Sequence, residues 1–151
     1  MKTVFLNQNW TLSNERVGTL AATVPGCVHT DLIAAGVIKD IFWRDNNRSY
    51  QWIEDEAWDY CCRFDATLAE EVDLVFDGLD TYAEITLNGQ LLGMTDNMFI
   101  PHRFNVSAVL QEKDNVLKVH FRSPVKEVEG KPPTKGAFTT ERMYSRRIQC
   151  T

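Results

Sequence analysis

The chain of 151 residues contains no hydrophobic run near the roughly 20 residues that a bilayer-spanning helix requires, so a membrane is not expected as its partner. It also lacks a phosphate-cradling glycine loop, a G-x-S-x-G nucleophile elbow and any C-x-x-C or Cys/His metal spacing. Nucleotide, serine-esterase and zinc chemistry thus find no motif, and neither a metal nor another cofactor is expected. Positive charge is in deficit: 16 Lys and Arg face 21 Asp and Glu, for a net charge of -5. Nucleic acid and anionic lipid surfaces carry the wrong sign to attract such a chain.

Cysteine is sparse as well. Cys61 and Cys62 are adjacent on a segment that reads as a strand, where neighbours point to opposite faces, so they cannot easily bond each other. With Cys27 and Cys150 they are expected to be reduced structural thiols. The opening MKTVFLNQNWTLSN has too short an apolar patch for a secretory signal. A cytoplasmic location is the expectation, under which the sequons at Asn9, Asn47 and Asn105 carry no sugar.

Helical signal is scarce. The stretch HTDLIAAGVI predicts one short helix, with Thr30 as cap, Asp31 in the first turn and Gly36 at the exit.

Strand signal is abundant. In AWDYCCRFDA, the residues Trp58, Tyr60, Cys62 and Phe64 fall on one face, and Asp59, Arg63 and Asp65 on the other. Val72 to Phe76 reads as a second, more buried strand. Tyr82 to Leu87 and Gln90 to Met94 flank Asn88-Gly89, the strongest short hairpin signal. In DNVLKVHFRS, Leu117, Val119 and Phe121 alternate with Lys118, His120 and Arg122. Strands joined by turns, with little helix between them, predict an all-β antiparallel sandwich rather than βαβ units. With 44% hydrophobic residues, one domain of this length can bury a real core.

Two stretches fit that pattern poorly. Ile41 to Trp52, IFWRDNNRSYQW, is a long connection rich in aromatics and polar groups, the kind of loop that often carries function. From Ser123 onward the chain becomes basic and Pro/Gly-bearing, without a clean strand period until Met143 to Cys150. The expected division is a sandwich over 1–125, then a connection and an incomplete last strand over 126–151 that leads to further domains.

No complete catalytic set emerges. With 21 Asp and Glu residues, a carboxylate pair is available almost anywhere, and spacing singles out none. His29 is expected to bond locally near the helix start, His102 to be structural, and His120 to be solvated. Asp77 suits a tight turn beginning at Asp77-Gly78. Among the aromatics, Trp10 and Trp58 read as core, whereas Trp43 and Trp52 lie in or beside the odd connection. Flat indoles can stack on the apolar face of a sugar ring.

Four segments then occur in order: VPGCVHTDLIAAGVIKD, DNNRSYQWIEDEAWDY, FDGLDTYAEITLNGQLLG and TDNMFIPHRFNV. Together, from about Trp10 to Val125, they resemble the N-terminal domain of β-mannosidases of glycoside hydrolase family 2. The resemblance implies a jelly-roll-like β-sandwich that binds sugar and precedes a catalytic barrel in the same chain. The expected substrate is a terminal β-D-mannoside, cleaved with retention by two barrel glutamates. A barrel takes about 250 residues, so no catalytic residue is expected in this chain. A basic strand precedes a Gly-Trp-Asp-Trp segment in that family, and Arg146 to Cys150 resembles it.

By the same correspondence, Asp80 is the main expected substrate contact, reaching from the sandwich into the sugar pocket. Trp43, Asp45, Asn46, Trp52, Asn97 and Arg103 are lesser candidates, and Asn97 and Arg103 have the alternative of anchoring their loop. For Asp80 the alternative is bracing the turn. Two other functions stay open: a stand-alone, lectin-like sugar-binding module, and a scaffold that makes no sugar contact.

Overall fold

The computed structural model describes residues 2–43 and 46–129. The chain runs β1 (Trp10–Asn14), β2 (Gly18–Ala22), α1 (Val28–Ala34), α2 (Asn46–Ser49), α3 (Trp52–Asp55) and β3 (Trp58–Phe64). It continues through β4 (Asp73–Phe76), β5 (Ala83–Leu87), β6 (Gln90–Thr95), β7 (His102–Asn105), β8 (Asn115–Phe121) and α4 (Pro124–Val128). Six strands form one sheet in the order β2-β1-β3-β8-β5-β6, and β4 pairs with β7 in a second. Every pairing is antiparallel, as the alternating patterns predict.

The core follows from the two-residue period. Trp10, Leu12, Trp58, Tyr60, Cys62, Ala83, Ile85, Leu87, Leu117 and Val119 are buried along four strands of the large sheet. Leu74, Phe76 and Phe104 of the small sheet pack against them, which makes the molecule a sandwich. Each fully buried Leu or Ile contributes roughly 1.5–3 kcal/mol relative to exposure. Both core tryptophans satisfy their ring N–H: Trp10 Nε1 donates to Leu6 O at 2.6 Å, and Trp58 Nε1 to Ile53 O at 3.0 Å.

The two sheets close where Gly93 faces Phe104. A Cβ on Gly93 would lie 2.6 Å from the Phe104 ring, so only glycine admits the aromatic there. Phe104 in turn meets Phe76 edge-on at 6.2 Å. The β5–β6 hairpin turns as expected: Asn88 and Gly89 both take positive φ, 53° and 81°, the signature of a two-residue primed turn.

Four sequence-based expectations change. Val75 is 45% exposed, so the β4 strand is half-buried in a two-stranded sheet, not a deeply buried run. The expected single helix is α1, and α2, α3 and α4 are added; each spans four or five residues, too short to print a helical period. Within α1 the cap is Cys27, not Thr30. Thr30 stands three residues in, accepts from Cys27 N at 3.3 Å and donates to Cys27 O at 2.8 Å. Cys27 is disulfide-bonded, which corrects the expectation of a reduced thiol there, while Cys61 and Cys62 are free.

Asp31 ties α1 to the sheets. It is 2% exposed, and its carboxylate accepts from Thr23 N and from the Tyr60 hydroxyl, each at 2.9 Å. Burial, and then the charge and hydrogen bond of Asp31, hold the Tyr60 hydroxyl protonated far above its ordinary range. Ser123 does similar work for α4, donating to Glu54 O at 2.6 Å and accepting from Lys126 N at 3.2 Å. The strand expected at Arg146 to Cys150 lies outside the described residues.

Candidate functional site

Register decides which loops meet. Trp58 of β3 pairs with Phe121 of β8, Phe121 with Ala83 of β5, and Ala83 with Thr95 of β6. The segments before β3 and β5, and those after β6 and β8, therefore emerge at one end of the sandwich. Phe76 pairs with His102, so the small sheet opens at the same end. That end carries Trp52 on α3, Asp80 on the β4–β5 loop and Asn97 on the β6–β7 loop.

The Asp80 loop is pressed against the Asn97 loop. A Cβ on Gly78 would lie 3.1 Å from Met98 O, so glycine at 78 lets the two backbones approach. Leu79 is buried and pins the loop to the core, while Asp80 is half-buried. The Asp80–Thr81 peptide is cis, and the Thr81 hydroxyl donates to Asp80 Oδ1. Thr95, 4% exposed, donates from Oγ1 to Thr81 O at 3.2 Å, and Arg122 N donates to Tyr82 O at 2.9 Å. Asp80 thus stands on a short loop fastened to the ends of β6 and β8.

Asn97 acts as a brace. Its Oδ1 accepts from Phe99 N at 2.9 Å, and its backbone carbonyl lies 2.8 Å from His102 Nε2. His102 is thus bonded to its own loop. The tip of this loop presents Phe99, 80% exposed, and Ile100, 49% exposed. Three apolar residues between Asn97 and Pro101, with no alternation, are the sequence signal for such a tip.

The other candidates are placed differently. Trp52 lies at the Asp80 end but is half-buried: one neighbour is the Trp58 ring at 6.0 Å, and the Arg16 guanidinium sits 4.3 Å from its centroid. A cation over the indole occupies the face a sugar would use. Arg103 reaches Asp73 at 3.0 Å, and Asp73 stands further along β4 from the Asp80 loop. It is turned away as an exposed ion pair of small energetic weight. Trp43 is 64% exposed, and Asn46 folds back on that loop, its Nδ2 donating to Asp40 O at 2.7 Å. Asp45 lies outside the described residues.

Charges flank the site in pairs. Arg122 donates to Glu127 Oε1 at 2.8 Å, lies 3.9 Å from Glu84 Oε1, and its guanidinium carbon is 6.0 Å from the Tyr82 ring centroid. His120 is not simply solvated, because its Nδ1 lies 2.6 Å from Asp59 Oδ1, with Lys118 Nζ 3.1 Å from Asp59 Oδ2. His29 is substantially buried, and burial lowers its pKa. Among the described residues no three His, Cys, Asp or Glu side chains converge to hold a metal ion, and no helix is long and apolar enough to cross a membrane.

The loop-rich end of the sandwich thus carries an acid on one loop and exposed apolar residues on the loop packed against it. Residues 10–151 match the family model described as glycosyl hydrolase 2 galactose-binding domain-like. The chain belongs to that family. This glycosyl hydrolase 2 galactose-binding-like domain is 39% identical over 127 residues to a beta-mannosidase of Bos taurus, covering 81% of this chain and 14% of that protein. It is 41% identical over 129 residues to a beta-mannosidase of Mus musculus, covering 82% and 15%. Among solved structures, the beta-D-mannosidase of Dictyoglomus thermophilum superposes with a TM-score of 0.79 at 37% identity, covering 89% of this chain and 18% of that one. The domain therefore corresponds to the N-terminal domain of beta-mannosidases and spans about a seventh of the mammalian relatives.

Sequence reading missed Thr81 and Thr95. Neither forms a motif, since a hydroxyl beside an acid and a threonine ending a strand are both common.

Proposed function

We propose that this chain is the sugar-pocket domain of a retaining β-mannosidase that hydrolyses terminal β-D-mannose residues, and that it has no turnover alone. The observation that carries this reading is identity near 40% over about 80% of the chain to beta-mannosidases of two mammals. The gathering of Asp80 and its neighbouring loops at one end of the sandwich supports it. The partner of that end is the catalytic barrel of the same polypeptide, which supplies both the acid/base and the nucleophilic glutamate.

Asp80 is the residue through which this domain touches substrate. A carboxylate accepts hydrogen bonds from two sugar hydroxyls, and its negative charge favours a developing oxocarbenium ion. Asn97 shapes the loop behind it. Trp52, covered by Arg16, serves the packing of α3 on β3.

The test has two parts. The reading frame is sequenced beyond Thr151, where several hundred further residues with a barrel are expected. In the enzyme so encoded, Asp80→Asn is expected to lower kcat/KM on a β-mannoside by tenfold or more, since a charge-assisted hydrogen bond is worth roughly 1.5–3 kcal/mol. Unchanged kinetics in a folded variant would sink the role of Asp80. A stop codon directly after Thr151 would remove hydrolysis and leave a stand-alone sugar-binding module.

A further inference from the structure

We infer that Thr81 and Thr95 are positioning residues that hold the Asp80 carboxylate in one orientation at the open end of the sandwich; the purpose of the brace rests on the reading of Asp80 as a substrate contact. The Thr81 hydroxyl donates directly to Asp80 Oδ1. Thr81 is in turn fastened from behind, because its carbonyl accepts from Thr95 Oγ1 at 3.2 Å. Thr95 is 4% exposed and pairs with the fully buried Ala83, so this anchor belongs to the rigid sheet and not to a loop. The next residue is fixed independently, by Arg122 N donating to Tyr82 O at 2.9 Å.

Chemistry explains why hydroxyls suit the task. A threonine hydroxyl donates one neutral hydrogen bond to a carboxylate oxygen and adds no charge of its own. A displacement near 1 Å at a reacting centre can cost about 100-fold in rate, so a loop that let Asp80 rotate would lose much of its value.

The brace itself is tested in the 151-residue chain by the three-bond couplings that report the Asp80 χ1 angle. A single rotamer is expected in the wild type and in Thr81→Ser, and rotamer averaging in Thr81→Val, which keeps the shape and loses the donor. Averaging in the wild type, or a single rotamer in Thr81→Val, overturns the brace. Its purpose is tested in the full-length enzyme. There Thr81→Val is expected to lower kcat/KM about tenfold, Thr81→Ser to stay within about twofold, and Thr95→Val to fall between them. Thr81→Val should add nothing in an Asp80→Asn background, because residues acting through one another are not additive. Full additivity overturns positioning. So does equal loss in Thr81→Ser and Thr81→Val, which would mark the methyl and not the hydroxyl as the working group. A silent Asp80→Asn overturns the substrate reading and with it the purpose of the brace, while the couplings separately decide whether the brace exists.

Discussion

The two ends of the sandwich are built on opposite plans. At the end away from Asp80, Asn115 is fully buried and every polar atom of its amide is used. Its Oδ1 accepts from Gln111 N at 2.8 Å and from Asn88 Nδ2 at 3.0 Å, and its Nδ2 donates to Gln111 O at 2.6 Å and Phe64 O at 3.3 Å. Asn88 adds Nδ2 to Val109 O and Oδ1 from Val116 N, each at 2.9 Å. The hairpin turn, the start of β8 and the loop before it become one network. At the Asp80 end several side-chain hydrogen bonds reach single backbone groups, with Thr95 Oγ1 on Thr81 O, Asn97 Oδ1 on Phe99 N and His102 Nε2 on Asn97 O, and Phe99 and Ile100 are exposed. A saturated buried network specifies a structure, whereas an end with exposed apolar groups is suited to meeting something else.

The largest expected effect falls on the saturated end. Asn115→Ala removes the partner of the Gln111 N–H and of the Gln111 and Phe64 carbonyls and leaves a gap at a fully buried position, and should cost about 3 kcal/mol, read from urea unfolding midpoints. If the two ends are independent, the same variant leaves the Asp80 χ1 couplings unchanged below its unfolding transition. Coupled loss at both ends would dissolve the contrast. Gly93→Ala comes next, at about 1–2 kcal/mol, because the new methyl must displace the Phe104 ring that joins the sheets. The crystal structure of that variant should show the β4–β7 sheet shifted and the Asn115 network intact.

The smallest effect is a pH dependence at the start of α1. Burial lowers the pKa of His29 below its ordinary value of 6.5. Below pH 6.5 the unfolded chain takes up a proton that the folded chain refuses, so stability is present above that pH and declines as pH falls. Midpoints measured from pH 7.5 down to pH 5 should fall less steeply in His29→Gln. An unchanged slope would assign the acid sensitivity to other groups.

Legibility in the sequence followed periodicity. The faces of β3, β5 and β8 and the core position of Trp58 follow from a two-residue alternation, which the pleated backbone enforces locally, the Asn88-Gly89 turn from its residue pair, and the core position of Trp10 only from the usual burial of an indole. The exit of α1 at Gly36 is equally local, because Gly36 takes φ 72°. Val75 was misplaced because an apolar run does not say whether a sheet is covered on both faces. The position of Arg103 was hidden for another reason: its partner Asp73 is 30 residues away and is met only through the β4–β7 pairing.

By itself, then, the sequence determined a β-sandwich, its turns, its core stripe and, through four segments in series, its likeness to the N-terminal domains of β-mannosidases. All of these rest on short-range pattern or on ordered motifs. Only the tertiary structure decided which loops share an end. Strand register brings Asp80, Gly78, Thr95 and Asn97 together, though no local rule links them. It covered Trp52 with Arg16, turned Arg103 away, and set Thr95 behind Thr81. Side-chain company is fixed by how sheets pair and close, and that information belongs to contacts between segments far apart in the chain.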